Sequence, residues 1–267
     1  MSGVYIGIDG KARKVKGGYI GIDGVARKIK KGYIGDENGV AQLCWSTVEF
    51  DPVFANNTWE EIALACQMGA VPASWEVGNQ KTMTIDGTDY AIDIIGKDHD
   101  DYADGSGKAP LTFQLHDCYN TKYKVYTNSN TSGGWGSCVM RTTHLPDILA
   151  KMPDGVQAAI KKVVKEYAPT YNNTAVSISE DMLFLLSEHE YSGSQTNSPF
   201  AEGKRYEYYN AGNSGVKKFN GTSSSWTLRS LHKQFSGSAL VVQTSGTVGS
   251  VSLANGYELG LAFAFCF

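Results

Sequence analysis

Ionisable side chains crowd together at two places in this sequence. The denser cluster is Asp98-His99-Asp100-Asp101, with Asp104-Gly105 close behind. Carboxylates grouped in this way either ligate a hard cation or tie down their own loop through hydrogen bonds. A calcium loop needs the spacing Asp-x-Asp-x-Asp-Gly, and Tyr102 stands where an acid is wanted, so a hydrogen-bonded acidic loop is expected and no metal is assigned. The second cluster, Glu188-His189-Glu190, offers an acid and a base side by side. Read as extended chain after an apolar run, it would turn neighbouring side chains to opposite faces, so His189 would not share a site with both glutamates. Gly-x-Ser-x-Gly, His-Glu-x-x-His and a phosphate-cradling glycine loop do not occur. The expectation is no catalytic residue, no cofactor and no enzyme.

Recognition is the other chemistry the residues suggest. Leu231, His232, Lys233, Gln234 and Phe235 put apolar, cationic and aromatic side chains in a stretch without burial periodicity, and Asn255, Tyr257 and Glu258 repeat that mixture. Aromatic rings beside polar groups suit a binding surface, because they cover much area at little conformational cost. Leu231, His232, Lys233, Phe235, Asn255, Tyr257 and Glu258 are therefore the candidate ligand-binding residues, within a display segment at 231–259. Around them stand residues that read as frame: Trp135, Arg141, Trp226, Arg229, Ser230, Gly260 and Phe265. Tryptophan fills a core, and the arginine fork can hold several backbone carbonyls at once.

The elements that must position these groups are mixed. Residues 1–44 repeat at a period of 14, as Tyr5-Ile6-Gly7-Ile8-Asp9-Gly10, Tyr19-Ile20-Gly21-Ile22-Asp23-Gly24 and a degenerate copy from Tyr33 with Asn38-Gly39. Asp-Gly and Asn-Gly supply the positive φ of tight hairpins, so a ladder of small β-hairpins is expected. One unit buries too little to stand alone, which marks 1–44 as an attachment or oligomerisation arm. Its basic residues, Arg13, Lys14, Lys16, Arg27, Lys28, Lys30 and Lys31, read as the solvated face and edge protection of strands, with no nucleic-acid partner.

In the body, Thr58-Trp59-Glu60-Glu61 is a capping box opening a helix that Gly69 closes. A second helical pattern spans 145–167, broken at Pro153-Asp154-Gly155, with Val156, Ile160, Val163, Val164 and Tyr167 inward and Lys161, Lys162 and Lys165 in solvent. A hairpin is expected at 81–95 around Asp86-Gly87. Buried strands or short apolar segments fit 111–115 and 182–186, and long loops fit 119–137 and 191–225.

Bulk properties narrow the class. A chain of 267 residues with 42 % hydrophobic and 19 % charged residues has enough apolar material for a large folded domain. A formal charge of -3 advertises neither nucleic acid nor anionic lipid. Five cysteines without a Cys-x-x-Cys spacing argue against zinc and against a disulfide framework. The N-terminus carries no signal-peptide pattern and no run of 18 apolar residues occurs, so cytoplasmic synthesis without membrane insertion is expected.

The order Trp226-Thr227-Leu228-Arg229-Ser230, then Phe235 and Ser236-Gly237, then Gly260-Leu261-Ala262-Phe263-Ala264-Phe265, resembles the C-terminal part of C-type-lectin-like domains of the formylglycine-generating-enzyme type. It is most similar to the variable proteins diversified by retroelements in phages and bacteria, and to a related bacterial and prophage domain family of unassigned function. Trp75-Glu76-Val77-Gly78, Ile94-Ile95-Gly96, Leu111–Leu115, Gly133-Gly134-Trp135-Gly136-Ser137 with Met140-Arg141, and Leu185–Glu190 also fit it. Phe263 stands where that family's terminal motif carries Pro.

The resemblance implies an α+β fold, a C-type-lectin-like domain at 45–267 with two main helices and an irregular antiparallel sheet, behind the β-hairpin arm. By function it implies a receptor-binding protein of a phage or prophage tail, located on the virion tail or cell surface. Its partners would be a bacterial surface protein or glycan, other tail proteins through residues 1–44, and copies of itself in a homo-oligomer. Two rivals stay open: an enzyme acting on cell-wall or surface polymer through the acidic cluster at 98–104, and a purely structural tail component.

Overall fold

The structure, a computed structural model, describes residues 49–253 and 256–267 in full and, between residues 5 and 46, the backbone of six strands. Contacts divide the chain into two units, Met1–Ser74 and Trp75–Phe267.

In the first unit the repeats form β1 (Tyr5–Ile8), β2 (Lys11–Lys14), β3 (Gly18–Ile22), β4 (Val25–Ile29), β5 (Lys31–Gly35) and β6 (Ala41–Ser46). They pair antiparallel as β1-β2, β3-β4 and β5-β6, each a separate two-stranded sheet. β6 runs through Ser46, so a boundary at 44/45 falls inside a strand. The arm's basic side chains lie outside the described residues. Helix α1 (Trp59–Gln67) follows. Thr58 Oγ1 accepts the Glu61 amide at 3.1 Å and the Glu61 carboxylate accepts the Thr58 amide at 2.8 Å, completing the capping box. Gly69, at φ +58°, ends the helix.

The second unit continues with β7 (Gln80–Ile85), β8 (Thr88–Lys97), β9 (Leu111–Leu115), α2 (Gly134–Ser137), a π-helical turn at Met140–His144, α3 (Leu145–Leu149) and α4 (Asp154–Ala159). Then come β10 (Val163–Tyr167), β11 (Ser177–Asp181), β12 (Leu183–Phe184), α5 (Glu188–Ser192) and α6 (Glu207–Asn210). The last strands are β13 (Lys217–Phe219), β14 (Thr222–Ser224), β15 (Trp226–Leu231), β16 (Ser238–Val242), β17 (Val248–Ser252) and β18 (Ala264–Cys266). The class is α+β, with few helices and several antiparallel sheets.

The central sheet has the order β12-β18-β9-β8-β7. β7 and β8 meet at Asp86 (φ 49°) and Gly87 (φ 75°), the two left-handed positions of a tight hairpin turn. Every residue of β9 and β18 is buried, and Phe113 and Phe265, register partners, pack with tilted rings whose centroids are 5.2 Å apart. The chain's C-terminal strand thus lies in mid-sheet. Phe263 is also fully buried, and its carbonyl accepts the Leu115 amide at 3.2 Å. A three-stranded sheet, β15-β16-β17, carries the display segment, and β15 is buried along its whole length.

Three expectations need correction. The helical pattern at 145–167 stops at Ala159, and 163–167 is β10, paired with β11. The β-branched pair Val163-Val164 suits a strand, and the change of period from 3.6 to 2 carries Lys165 from the solvent side to the interior beside Val163. The helices are accordingly several and short: among the described residues α1 is the longest, at nine residues. Glu188-His189-Glu190 is not extended but forms α5, with Ser187 as N-cap. Finally, the span 191–225 is no uniform loop, since it contains α6 and the β13-β14 hairpin turned by Asn220 (φ 50°) and Gly221 (φ 78°). No helix among the described residues is long and apolar enough to cross a membrane.

Candidate recognition face

Three of the frame residues, Trp135, Arg141 and Arg229, bond two buried acids, Asp181 and Glu190. Asp181 takes the Trp135 indole N–H at 2.8 Å and the Arg141 Nε at 2.6 Å, and Arg141 reaches on to the Gly136 and Glu180 carbonyls. A Cβ at Gly134 or Gly136 would lie 2.1 Å from the Ala168 carbonyl oxygen or the Tyr167 hydroxyl, so the glycines beside Trp135 allow this packing. Arg229, 1 % exposed, donates to the Leu185 and Glu166 carbonyls at 2.8 and 3.0 Å and forks onto Glu190. Trp226 is fully buried, with its indole N–H on the Gly215 carbonyl at 2.9 Å. Ser230 Oγ accepts the Glu188 amide and donates to Glu202. Gly260 passes so close to Cys118 Sγ and the Ser225 carbonyl that a Cβ would lie 2.7 and 2.8 Å from them.

Glu190 is the hub. Its carboxylate accepts from both Arg229 Nη atoms, from Lys165 Nζ at 3.1 Å and from the Ser187 amide at 3.0 Å. Lys165 also donates to Asp100 and, at 2.9 Å, to the Tyr206 hydroxyl, so all three ammonium protons are used. Burial disfavours the ionised Asp100, but the Lys165 ammonium more than compensates and holds its carboxyl down at about 2. Burial opposes ionisation of Glu190 too, and Arg229, then Lys165, keep it below the usual range. Glu202 goes the other way: burial pushes it up, and Arg229 and Ser230 only partly offset that.

The acidic cluster therefore separates by role. Asp100 is buried on Lys165, Asp101 pairs with Lys108 at 2.8 Å in solvent, and Asp104 caps the Ser106 amide at 2.9 Å. Lys165, read as a solvated lysine, is the cation at the centre. Among the described residues no group of three or more His, Cys, Asp or Glu side chains is arranged to hold a metal ion.

Above this frame lie the loops. Phe235 is 57 % and Tyr257 is 50 % exposed, and Lys233, Gln234 and Glu258 are exposed beside them. Backbone contacts join the loops that carry them. The Leu253 amide donates to Gly237 O at 2.9 Å, Lys233 N to Asn197 O at 2.7 Å, and Tyr123 and Leu259 exchange bonds at 3.1 and 3.0 Å. Gly237 lies against Ser129, and Gly256 against the Lys124 side chain. Glu188, buried, anchors the neighbouring loop by accepting the Asn197 and Ser198 amides.

Two predicted contact residues are corrected. Leu231 is 1 % exposed, the last residue of the wholly buried strand β15, and cannot touch a ligand. His232, 8 % exposed, is an internal brace: its Nδ1 accepts the Gln234 and Phe235 amides at 3.1 and 3.3 Å, and its ring packs on that of Phe235 at 4.5 Å. Burial lowers its pKa, which suits the acceptor role. Asn255 lies outside the described residues. Sequence reasoning missed Glu190, Asp100 and Lys165 as a unit. Ser187-Glu188-His189-Glu190 does spell a capping box, and that signal places Glu190 on a helix.

No curated protein and no solved structure matches the chain. A family model, DUF6273, a domain of unknown function, matches residues 92–264, well over half of the sequence and nearly all of the second unit. On that match, the chain belongs to the DUF6273 family.

Proposed function

We propose that this protein is a receptor-binding, host-recognition component of a phage or prophage tail, built on a C-type-lectin-like scaffold. It grips a bacterial surface protein or glycan through the loops at 232–237 and 256–258. The observation that carries this reading is the exposure of Phe235 and Tyr257 on loops fastened to a buried Trp and Arg frame. Aromatic rings beside polar groups on rigid loops support the reading because they bury much area at low entropy cost when a partner covers them. Lys233, Gln234 and Glu258 supply the polar rim. Repeats at the N-terminus gather copies, so that weak single contacts sum to avidity.

An enzymatic reading through residues 98–104 draws no comparable support. Asp100 is buried and held ionised by Lys165, and its two oxygens accept from Lys165, Thr112 and Tyr206, so it is poorly placed for general acid or base work.

The test is binding of labelled protein to intact cells from a panel of bacterial strains, with cells stripped by periodate or by protease to sort glycan from protein. Phe235→Ala and Tyr257→Ala should each cost about 2 kcal/mol of binding or more, with melting temperature unchanged. Full binding by both variants would sink the reading.

A further inference from the structure

A cleft of about 260 Å³ opens over the Asp100, Lys165 and Glu190 cluster, away from the residues assigned above to recognition. Its walls are the His99 ring, the Asp101 and Lys108 pair, Glu166, Gly203 and Lys204, and Lys165 lies at its floor. Its size is below that of a pocket for a drug-sized ligand, so the occupant is small.

The charges decide what would fit. Lys165 is saturated by Asp100, Glu190 and Tyr206. Lys108 is taken by Asp101 at 2.8 Å and the His99 carbonyl at 3.1 Å. Of the other charged side chains lining the cleft, Lys204 and Glu166 have no ion pair among the described residues. The Lys204 ammonium is exposed and has no ion pair or side-chain hydrogen bond among the described residues. The Glu166 carboxylate, half-buried, accepts only the Gly203 amide among the described residues, at 3.0 Å through Oε2. The His99 ring, another lining group, lies flat on Tyr206 with centroids 4.0 Å apart, and burial lowers its pKa, which favours the neutral ring.

The backbone around this wall is shaped to permit it. A Cβ on Gly96 would press on Tyr206 and His99 at 3.0 and 3.1 Å. Gly203, at φ +78°, sits where a Cβ would come 2.6 Å from Glu190 Oε1. Both glycines let the cleft's sides close onto the charge cluster.

We propose that this cleft binds a small zwitterion, a free α-amino acid or a short peptide, with its carboxylate on Lys204, its ammonium on Glu166 and its side chain against His99. A cation and a carboxylate that lack an ion pair among the described residues, in a cleft whose other charges are paired with one another, complement a ligand that carries both signs and no net charge. A simple anion would satisfy Lys204 and leave Glu166 facing it.

The experiment is an NMR titration of the full chain that follows the His99 ring resonances, with glycine, L-alanine and L-alanyl-L-alanine as probes and acetate and ethylammonium as half-ligands. Saturable shifts are expected with the zwitterions at roughly millimolar Kd, an affinity ordinary for so small a ligand. Lys204→Met and Glu166→Gln should each weaken binding at least tenfold; the second keeps an oxygen for the Gly203 amide, and circular dichroism should show both folded. The half-ligands should not saturate. Three outcomes overturn the proposal: no saturable shift with any zwitterion, binding indifferent to both substitutions, or acetate binding as well as alanine, which would mark an anion site only. None of them touches the cell-binding assay, so this site and the recognition face stand or fall separately.

Discussion

Glu190 accepts four donors while 2 % exposed, and that makes it the residue on which the second unit most depends. A buried ion pair adds little over an apolar replacement of equal shape, but removing one partner strands the other. Glu190→Gln should therefore leave Arg229 and Lys165 short of an anion and cost about 3 to 5 kcal/mol, lowering the melting temperature on the order of 10 °C in calorimetry. A change within experimental error would show the cluster to be dispensable. His232 gives a pH prediction. Its folded pKa lies below the ordinary 6.5, so the neutral ring is favoured in the folded state. The stabilisation it gives is fully present above pH 6.5 and is lost as the pH falls through the lowered folded value. Protonation places a hydrogen on Nδ1 and breaks its two bonds to the Gln234 and Phe235 amides. Amide NMR of those residues should show the loop loosening below pH 6.5, and His232→Asn, which keeps an acceptor but does not titrate, should flatten that dependence.

At the scale of elements, strand β15, which leads into the 231–259 segment, is held by its neighbours as much as by its own sheet. β15 donates its Arg229 amide to Leu186 O and its Thr227 amide to Gly260 O, at 2.9 and 3.0 Å, while it also pairs with β16. Gly260 must lie flat there, since Cys118 Sγ and the Ser225 carbonyl occupy the space of a side chain. Gly260→Ala should destabilise by about 1 to 3 kcal/mol through overpacking, read as a lower urea midpoint at unchanged m-value. Destabilisation below about 0.5 kcal/mol would mean that the terminal segment can shift to make room. β10 teaches a second lesson about elements. Its sequence matches a helix face until the strand β11 pairs with it, and pairing alone turns Lys165 inward.

For the whole molecule, the arm and the body answer different questions. Three two-stranded hairpins are each marginal by themselves, since a lone hairpin buries too little to hold in water. On the proposed function, association of copies completes them. Deletion of residues 1–44 should then yield a monomer by light scattering and weaken cell binding by about 10² to 10⁴ fold, the span that lost avidity covers. Equal binding by the truncated chain would remove multivalency from the proposal and leave the single face to do the work.

Much of the local structure is legible in residue order alone. Thr58 to Glu61 spells its own cap, Asp86-Gly87 its own turn, and the 14-residue repeat its own strands, because each rests on contacts within a few residues. Those signals are local and so survive without knowledge of the rest of the chain. The burial of Leu231 and His232 and the meeting of Asp100, Lys165, Glu190 and Arg229 are of another kind. Asp100 and Arg229 are far apart in sequence, and nothing near either one names its partner. Whether a charged side chain faces water or an opposite charge depends on which strand pairs beside it, and that pairing is an energy summed over the fold. Sequence supplied the turns, the caps and the aromatic residues of the exposed loops; tertiary structure alone chose which of them stand in solvent and which charges neutralise one another inside.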